Sequence, residues 1–245
     1  MLFKAPNRFS IGLLLGAITT VVIVWLSYTN TLNVYISSRY DIFALLMALL
    51  SLIGVGVSSS IKSTELRTEN RPSFRVVGTI VLTGLLALSL LLLQPKALTS
   101  TTALQRGINA GGLNLAATTN TASFGETDYS QFDVRDWASV LNQTSDVKFY
   151  TGKTATITGF VSPVPGGNSN VFYASRFYIT CCAMDAQPYG VPVYEPNWRG
   201  KYSPNSWVAV SGGFTSDPTK SSVTPIVLIP SRINTIPVPQ DPYGR

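Results

Sequence analysis

Thr154-Ala155-Thr156-Ile157-Thr158-Gly159-Phe160-Val161 alternates and is rich in Thr, Ile and Val, the pattern of a half-buried β-strand. Pro165-Gly166-Gly167 follows as a turn. Residues 171–180 read as a second strand that runs directly into Cys181-Cys182. Residues 191–194 are a short third candidate, and residues 207–211 a fourth, ended by Gly212-Gly213. Residues 226–229 and 232–236 form a fifth, broken at Pro230. Upstream, Asp133 has the position of an N-cap before a short helix carrying Val134, Trp137, Val140 and Leu141 on one face. Five short strands after one helix suit a small closed barrel. An OB-like Greek-key barrel is the first expectation and a small sandwich the second.

The N-terminal part has another character. Charged residues are 12% of the 245-residue chain, about half the usual globular share of roughly 25%, and mean hydropathy is +0.24. Residues 9–38 carry no charge and have a nearly continuous apolar core at 11–28, and residues 42–61 and 76–95 are two further charge-free runs. A helix of roughly 20 residues spans a hydrocarbon core of about 30 Å. The expectation is therefore a membrane α domain of three transmembrane helices over 1–95, a linker over 96–131 with one helical turn around Leu104, and a β domain over 132–245. A signal peptide is the rival for the first run, but no small-x-small cleavage site follows Trp25. Lys4 and Arg8 precede that run, and Lys62, Arg67, Arg71 and Arg75 lie between the second and third, against Arg39 alone between the first two. The positive-inside rule then predicts a multi-pass plasma-membrane protein with a cytoplasmic N-terminus and an extracytoplasmic C-terminal domain.

Composition limits the chemistry. Without histidine there is no His-based triad, His-ligated metal site or imidazole switch. Two cysteines cannot make a disulfide-dense scaffold. Residues 1–97 carry a net charge of +5 and residues 98–245 only +1, so nucleic acid is not an expected partner. No P-loop, dinucleotide fingerprint or Gly-x-Ser-x-Gly elbow is present. The unusual feature is Cys181-Cys182-Ala183-Met184-Asp185. Neighbours on an extended strand point to opposite faces, so two thiols on one ion would need a bend here. Three readings stay open. The thiols are packing residues, soft-ion ligands with Asp185 or Met184 nearby, or a vicinal disulfide or redox pair. Arg176, five residues before Cys181, is placed to pair with Asp185 or to lower a thiol pKa.

Arg176-Phe177-x-Ile179-x-Cys181-Cys182-Ala183-x-Asp185-Ala186 resembles the signature of the bacterial YcgQ-like family of permease subunits. Agreement extends to Leu93-Gln94-Pro95-Lys96-Ala97-Leu98, to Gly152-Lys153-x-Ala155-x-Ile157-x-Gly159-Phe160-Val161, to Trp207-Val208-x-Val210-x-Gly212, and to Pro237-x-Pro239-x-x-Pro242-Tyr243. The Thr- and Asn-rich residues 99–127 depart from the pattern. The resemblance implies a non-enzymatic accessory membrane subunit whose partners are a larger multi-span permease and the lipid bilayer. That permease resembles a superfamily that includes exporters of organic arsenicals. The expected role is solute capture or gating by the outer domain. The alternatives are an extracytoplasmic thiol oxidoreductase or soft-metal-binding protein, and a purely structural membrane anchor. Cys181, Cys182, Asp185 and Arg176 are carried over as signature positions. The resemblance implies no catalytic residue and no cofactor; a soft metal ion at Cys181 and Cys182 is one of the three readings of the residues themselves.

Overall fold

The structure, a computed structural model, describes residues 8–60, 78, 81–82, 84–85, 88–89, 97–111, 128–167 and 169–244. The chain divides into two compact units, Met1–Lys96 and Ala97–Arg245.

In the first unit, α1 (Arg8–Tyr28) and α2 (Asp41–Ser60) pack together. The chain leaves α1 at Tyr28 and reverses through Asn30, whose φ of 55° is left-handed. Single 3-10 turns at Leu32–Val34 and Ser38–Tyr40 follow. Val22, Leu26 and Leu32 are buried together, with Tyr35, Ile36 and Ala44 packed against them. Buried Thr20 donates its hydroxyl to Gly16 O at 2.9 Å and to Ala48 O at 3.3 Å. Ala48 is itself buried, and its small side chain admits the close approach of α1. The outer sides are apolar, with Val21, Val24, Trp25, Ile42, Phe43 and Leu46 all exposed.

The expectation of three transmembrane helices is corrected here. Among the described residues, no helix is long and apolar enough to cross a membrane. Of the charge-free residues 9–38 only those up to Tyr28 are in α1, which carries the polar pair Thr19-Thr20. The third expected span, 76–95, lies for the most part outside the described residues, as do Lys4 and the basic residues 62–75. The multi-pass plasma-membrane location and the orientation derived from charge lose their basis with those helices.

The second unit is built on a mixed six-stranded sheet that closes on itself. Its strands are β1 (Thr154–Pro163), β2 (Val171–Tyr178), β3 (Gln187–Tyr194), β4 (Trp207–Ser216), β5 (Ile226–Ile236) and β6 (Tyr243–Gly244). Their order is β1-β4-β5-β3-β2-β6, and β1 also pairs with β2. The first five strands therefore form a ring, a five-stranded Greek-key barrel. All pairs within the ring are antiparallel except β3 with β5.

Closure depends on β1 serving two partners. Residues 154–160 face β4 and residues 160–163 face β2, with Phe160 opposite both Trp207 and Ser175. At the corner, a Cβ on Gly159 would stand 2.5 Å from Ser175 O, so glycine is what lets the strands meet. The fifth strand is continuous through Pro230. Ser211 faces Arg232 and Gly212 faces Pro230, so Ser231 bulges out and donates its hydroxyl to Ser211 O at 2.9 Å. The bulge takes up the donor that proline lacks. It also brings Gly212 so close to β5 that a Cβ there would lie 2.1 Å from Ile229 O. Gly212-Gly213 thus sits inside β4 rather than ending it.

Two helices close the barrel. Asp133 caps α4 (Val134–Gln143): its carboxylate accepts the N–H groups of Arg135 and Asp136, while Asp136 accepts the N–H of Asp133. The buried face of α4, Val134, Trp137, Ala138 and Val140, joins the barrel core with Ile157, Phe172, Val191, Val208 and Leu228. A single turn, α5 (Val147–Tyr150), buries Tyr150, whose hydroxyl donates to Thr144 O at 2.7 Å. The segment expected as linker is in part structured. Within it, α3 (Ser100–Arg106) buries Ala103 in a second cluster with Phe160, Phe177, Ile179, Ala186, Trp207 and Tyr243. Residues 112–127 of the expected linker lie outside the described residues.

Candidate functional site

The cysteine pair lies where β2 gives way to β3. Pairing of β2 ends at Tyr178, after which Ile179 N–H donates to Gly244 O at 3.3 Å. The chain then bends into a 3-10 turn, Ala183–Asp185, with Cys182 as its N-cap in extended conformation. Asp185 N–H donates to Cys182 O at 3.1 Å and closes the turn. This bend is what two adjacent thiols need in order to share a side of the backbone.

Asp185 organises the corner. Its Oδ2 accepts the N–H of Cys181 at 2.8 Å, and its Oδ1 accepts those of Thr180 at 3.2 Å and Cys182 at 3.4 Å. Desolvation pulls the Asp185 carboxyl up, but the three N–H groups and the Cys181 thiol hydrogen-bonded to it outweigh that and hold the carboxyl below its usual range. Both cysteines are free thiols; Cys181 is exposed and Cys182 half-buried. Their sulfurs stand 3.7 Å apart. A donor atom from each of Cys181, Cys182 and Asp185 lies within 4.8 Å of the other two. The hydrogen bond to Asp185 and the neighbouring Cys182 push the Cys181 thiol up to about 11.

Of the four expected signature residues, three meet at this corner and Arg176 does not. Arg176 Nη2 donates to Asp241 O at 2.8 Å, so it ties β2 to the segment before β6. The partners of Asp185 at this corner are backbone N–H groups and the Cys181 thiol, not a guanidinium. Met184 is exposed. The packing expectation for the cysteines fits Cys182 in part and fails for Cys181, because a solvent-exposed thiol fills no core.

Sequence reasoning missed Arg106, the last residue of α3. Its Nη1 donates to Ala183 O at 3.3 Å and, more closely, to Ala186 O, the two carbonyls flanking the end of the cysteine turn. A helical turn around Leu104 was legible, but its target lies 77 residues further along the chain. No local pattern announces such a contact.

No curated protein and no solved structure matches the chain. The family model described as the DUF1980 C-terminal domain matches residues 116–244, which include the barrel, the capped helix and the whole cysteine corner. As that match spans more than half of its residues, the chain belongs to the DUF1980 C-terminal domain family.

Proposed function

We propose that this protein is the accessory subunit of a YcgQ-like permease system, and that its barrel captures a thiophilic divalent ion at Cys181, Cys182 and Asp185. The observation that carries the capture role is the sulfur separation. Two thiolates on a tetrahedral ion with bonds of about 2.3 Å stand about 3.8 Å apart, and the two Sγ atoms here stand 3.7 Å apart. Asp185 supplies a hard third donor. Its Oδ2 accepts the N–H of Cys181, and the Cys181 thiol that also bonds the carboxylate gives up its proton when the ion binds. The backbone N–H groups around the carboxylate act as the outer shell that orients a ligand.

Three protein donors leave the fourth position of a tetrahedral ion open, the arrangement of sites that exchange a ligand rather than of closed structural sites. The exposure of Cys181 gives access from solvent. These features suit capture and hand-over to a partner. The exposed apolar side chains of α1 and α2, among them Ile42, Phe43 and Leu46, offer that partner an apolar docking surface. In this role the chain is non-enzymatic and takes the ion as cargo. A thiol oxidoreductase is the weaker alternative, because its nucleophile needs a lowered pKa whereas the Cys181 thiol is pushed up to about 11.

Two measurements on the full chain test this. It should bind one equivalent of Zn2+ or Cd2+ and co-purify with a larger multi-span protein in mild detergent. Failure to co-purify with any multi-span protein would overturn the accessory role, and failure to bind either ion would overturn the capture role.

A further inference from the structure

Arg106 belongs to the barrel unit yet reaches away from its own helix. A basic residue in the last turn of a helix ordinarily favours that helix's own free carbonyls. Here the hydrogen bonds recorded for Arg106 go instead to Ala183 O and Ala186 O. Those carbonyls bracket Met184 and Asp185, so the guanidinium spans the half of the turn that carries the ion-facing carboxylate. Ala186 is fully buried and joins the same cluster as Ala103 of α3. The turn is therefore anchored at its end by apolar contact and fixed in rotation by the guanidinium.

The base of Arg106 is itself held firmly. Ser100 N–H donates to Asn205 Oδ1 at 2.6 Å, and Leu98 N–H donates to the Tyr243 hydroxyl at 3.2 Å. Ala103 has no exposed surface, and Gly107 closes the helix at a φ of 78°. A short helix tied at both ends thus aims one side chain at one turn.

We propose that Arg106 is the positioning residue of the cysteine corner: by clamping Ala183 O and Ala186 O it sets the orientation of Asp185, and through the Asp185 carboxylate that of Cys181 and Cys182. The clamp itself is a matter of backbone order. Its effect on ion affinity rests on the capture role proposed above. Both bonds leave one nitrogen, Nη1, so lysine, whose ammonium carries three donors on a shorter stem, reproduces the clamp in part.

The test uses the full chain with Arg106→Met, which keeps the stem and removes the donors, and Arg106→Lys. Amide hydrogen exchange is read first, without any ion. Arg106→Met should speed exchange at the Cys181 and Cys182 N–H groups by about tenfold or more, while Val208 and Val210 in β4 keep their protection. Cd2+ affinity should then fall by about 10- to 100-fold, the usual effect of losing an outer-shell partner. Arg106→Lys should fall between the two. Unchanged exchange at Cys181 and Cys182 in a folded variant overturns the clamp. If Arg106→Met loses β4 protection as well, Arg106→Gln, which is polar but too short to reach both carbonyls, decides: wild-type exchange at the corner overturns the clamp, and faster exchange there alone supports it. If the wild type binds no Cd2+ but exchange at the corner still responds, the clamp stands and the capture role falls.

Discussion

Cys181→Ser and Cys182→Ser should each abolish stoichiometric binding of Zn2+ or Cd2+ while leaving the barrel folded. Serine is nearly the size of cysteine, but its hydroxyl does not ionise near neutral pH and is a poor donor to a soft ion. Losing one of three donors should weaken binding by about 100-fold or more, since each thiolate is a principal bond of the site. The fold should tolerate both changes, because Cys181 is exposed and Cys182 only half-buried. In the wild type, binding must also release the proton of Cys181, whose thiol is pushed up to about 11. Apparent affinity should therefore rise with pH throughout the neutral and mildly alkaline range. Equal binding by wild type and both variants in a direct titration would remove the cysteines from the site.

The second large effect concerns the barrel. Trp137→Ala should lower the stability of the second unit by about 3–5 kcal/mol, the usual cost of emptying a buried aromatic position. Trp137 is fully buried. Its ring lies 4.6 Å from that of Phe214, 5.3 Å from Phe132 and 5.8 Å from Tyr129. It is the residue through which α4 closes the core. In a unit of this size such a loss corresponds to a fall in melting temperature of about 10 °C or more. Trp137→Phe should cost much less, because the indole Nε1 is buried without a hydrogen-bond partner and its removal leaves no broken bond. Thermal unfolding of the two variants side by side checks both statements. Equal melting temperatures for Trp137→Ala and wild type would contradict the position assigned to α4.

Much of the barrel was legible because strand signals are local. The alternation at residues 154–161 and the β-branched runs at 207–211 and 226–229 correspond to β1, β4 and β5. Asp133 marked the start of α4 for the same reason, since an N-cap followed by an apolar face is written in consecutive residues; the capping box with Asp136 is what the structure adds. What failed to show was non-local. The pivot of β1 at Phe160, from β4 to β2, depends on a close approach to Ser175 that no window of sequence contains. Pro230 read as a strand break because the compensating bulge needs Gly212 on another strand. The two-residue strand β6 is too short to carry a period.

The apolar N-terminal runs misled for a related reason. Absence of charge measures hydropathy but not where a helix ends. α1 ends at Tyr28, where the apolar core of the first run ends, and Asn30 in a left-handed conformation with the two 3-10 turns carries the charge-free residues that follow. At the cysteine corner the pair and Asp185 were visible as neighbours in sequence. The assumed role of Arg176 as the partner of Asp185 was not correct, because its guanidinium is turned to Asp241 O. The arginine that does reach the turn, Arg106, comes from the segment expected to be linker.

The central claim is that both sulfurs hold one ion. X-ray absorption at the metal edge of the untagged full chain, loaded with one equivalent of Zn2+, tests it most directly. The account predicts two sulfur scatterers at about 2.3 Å with oxygen at about 2.0–2.2 Å and, in a chain without histidine, no imidazole scattering. A shell of oxygen alone would contradict it.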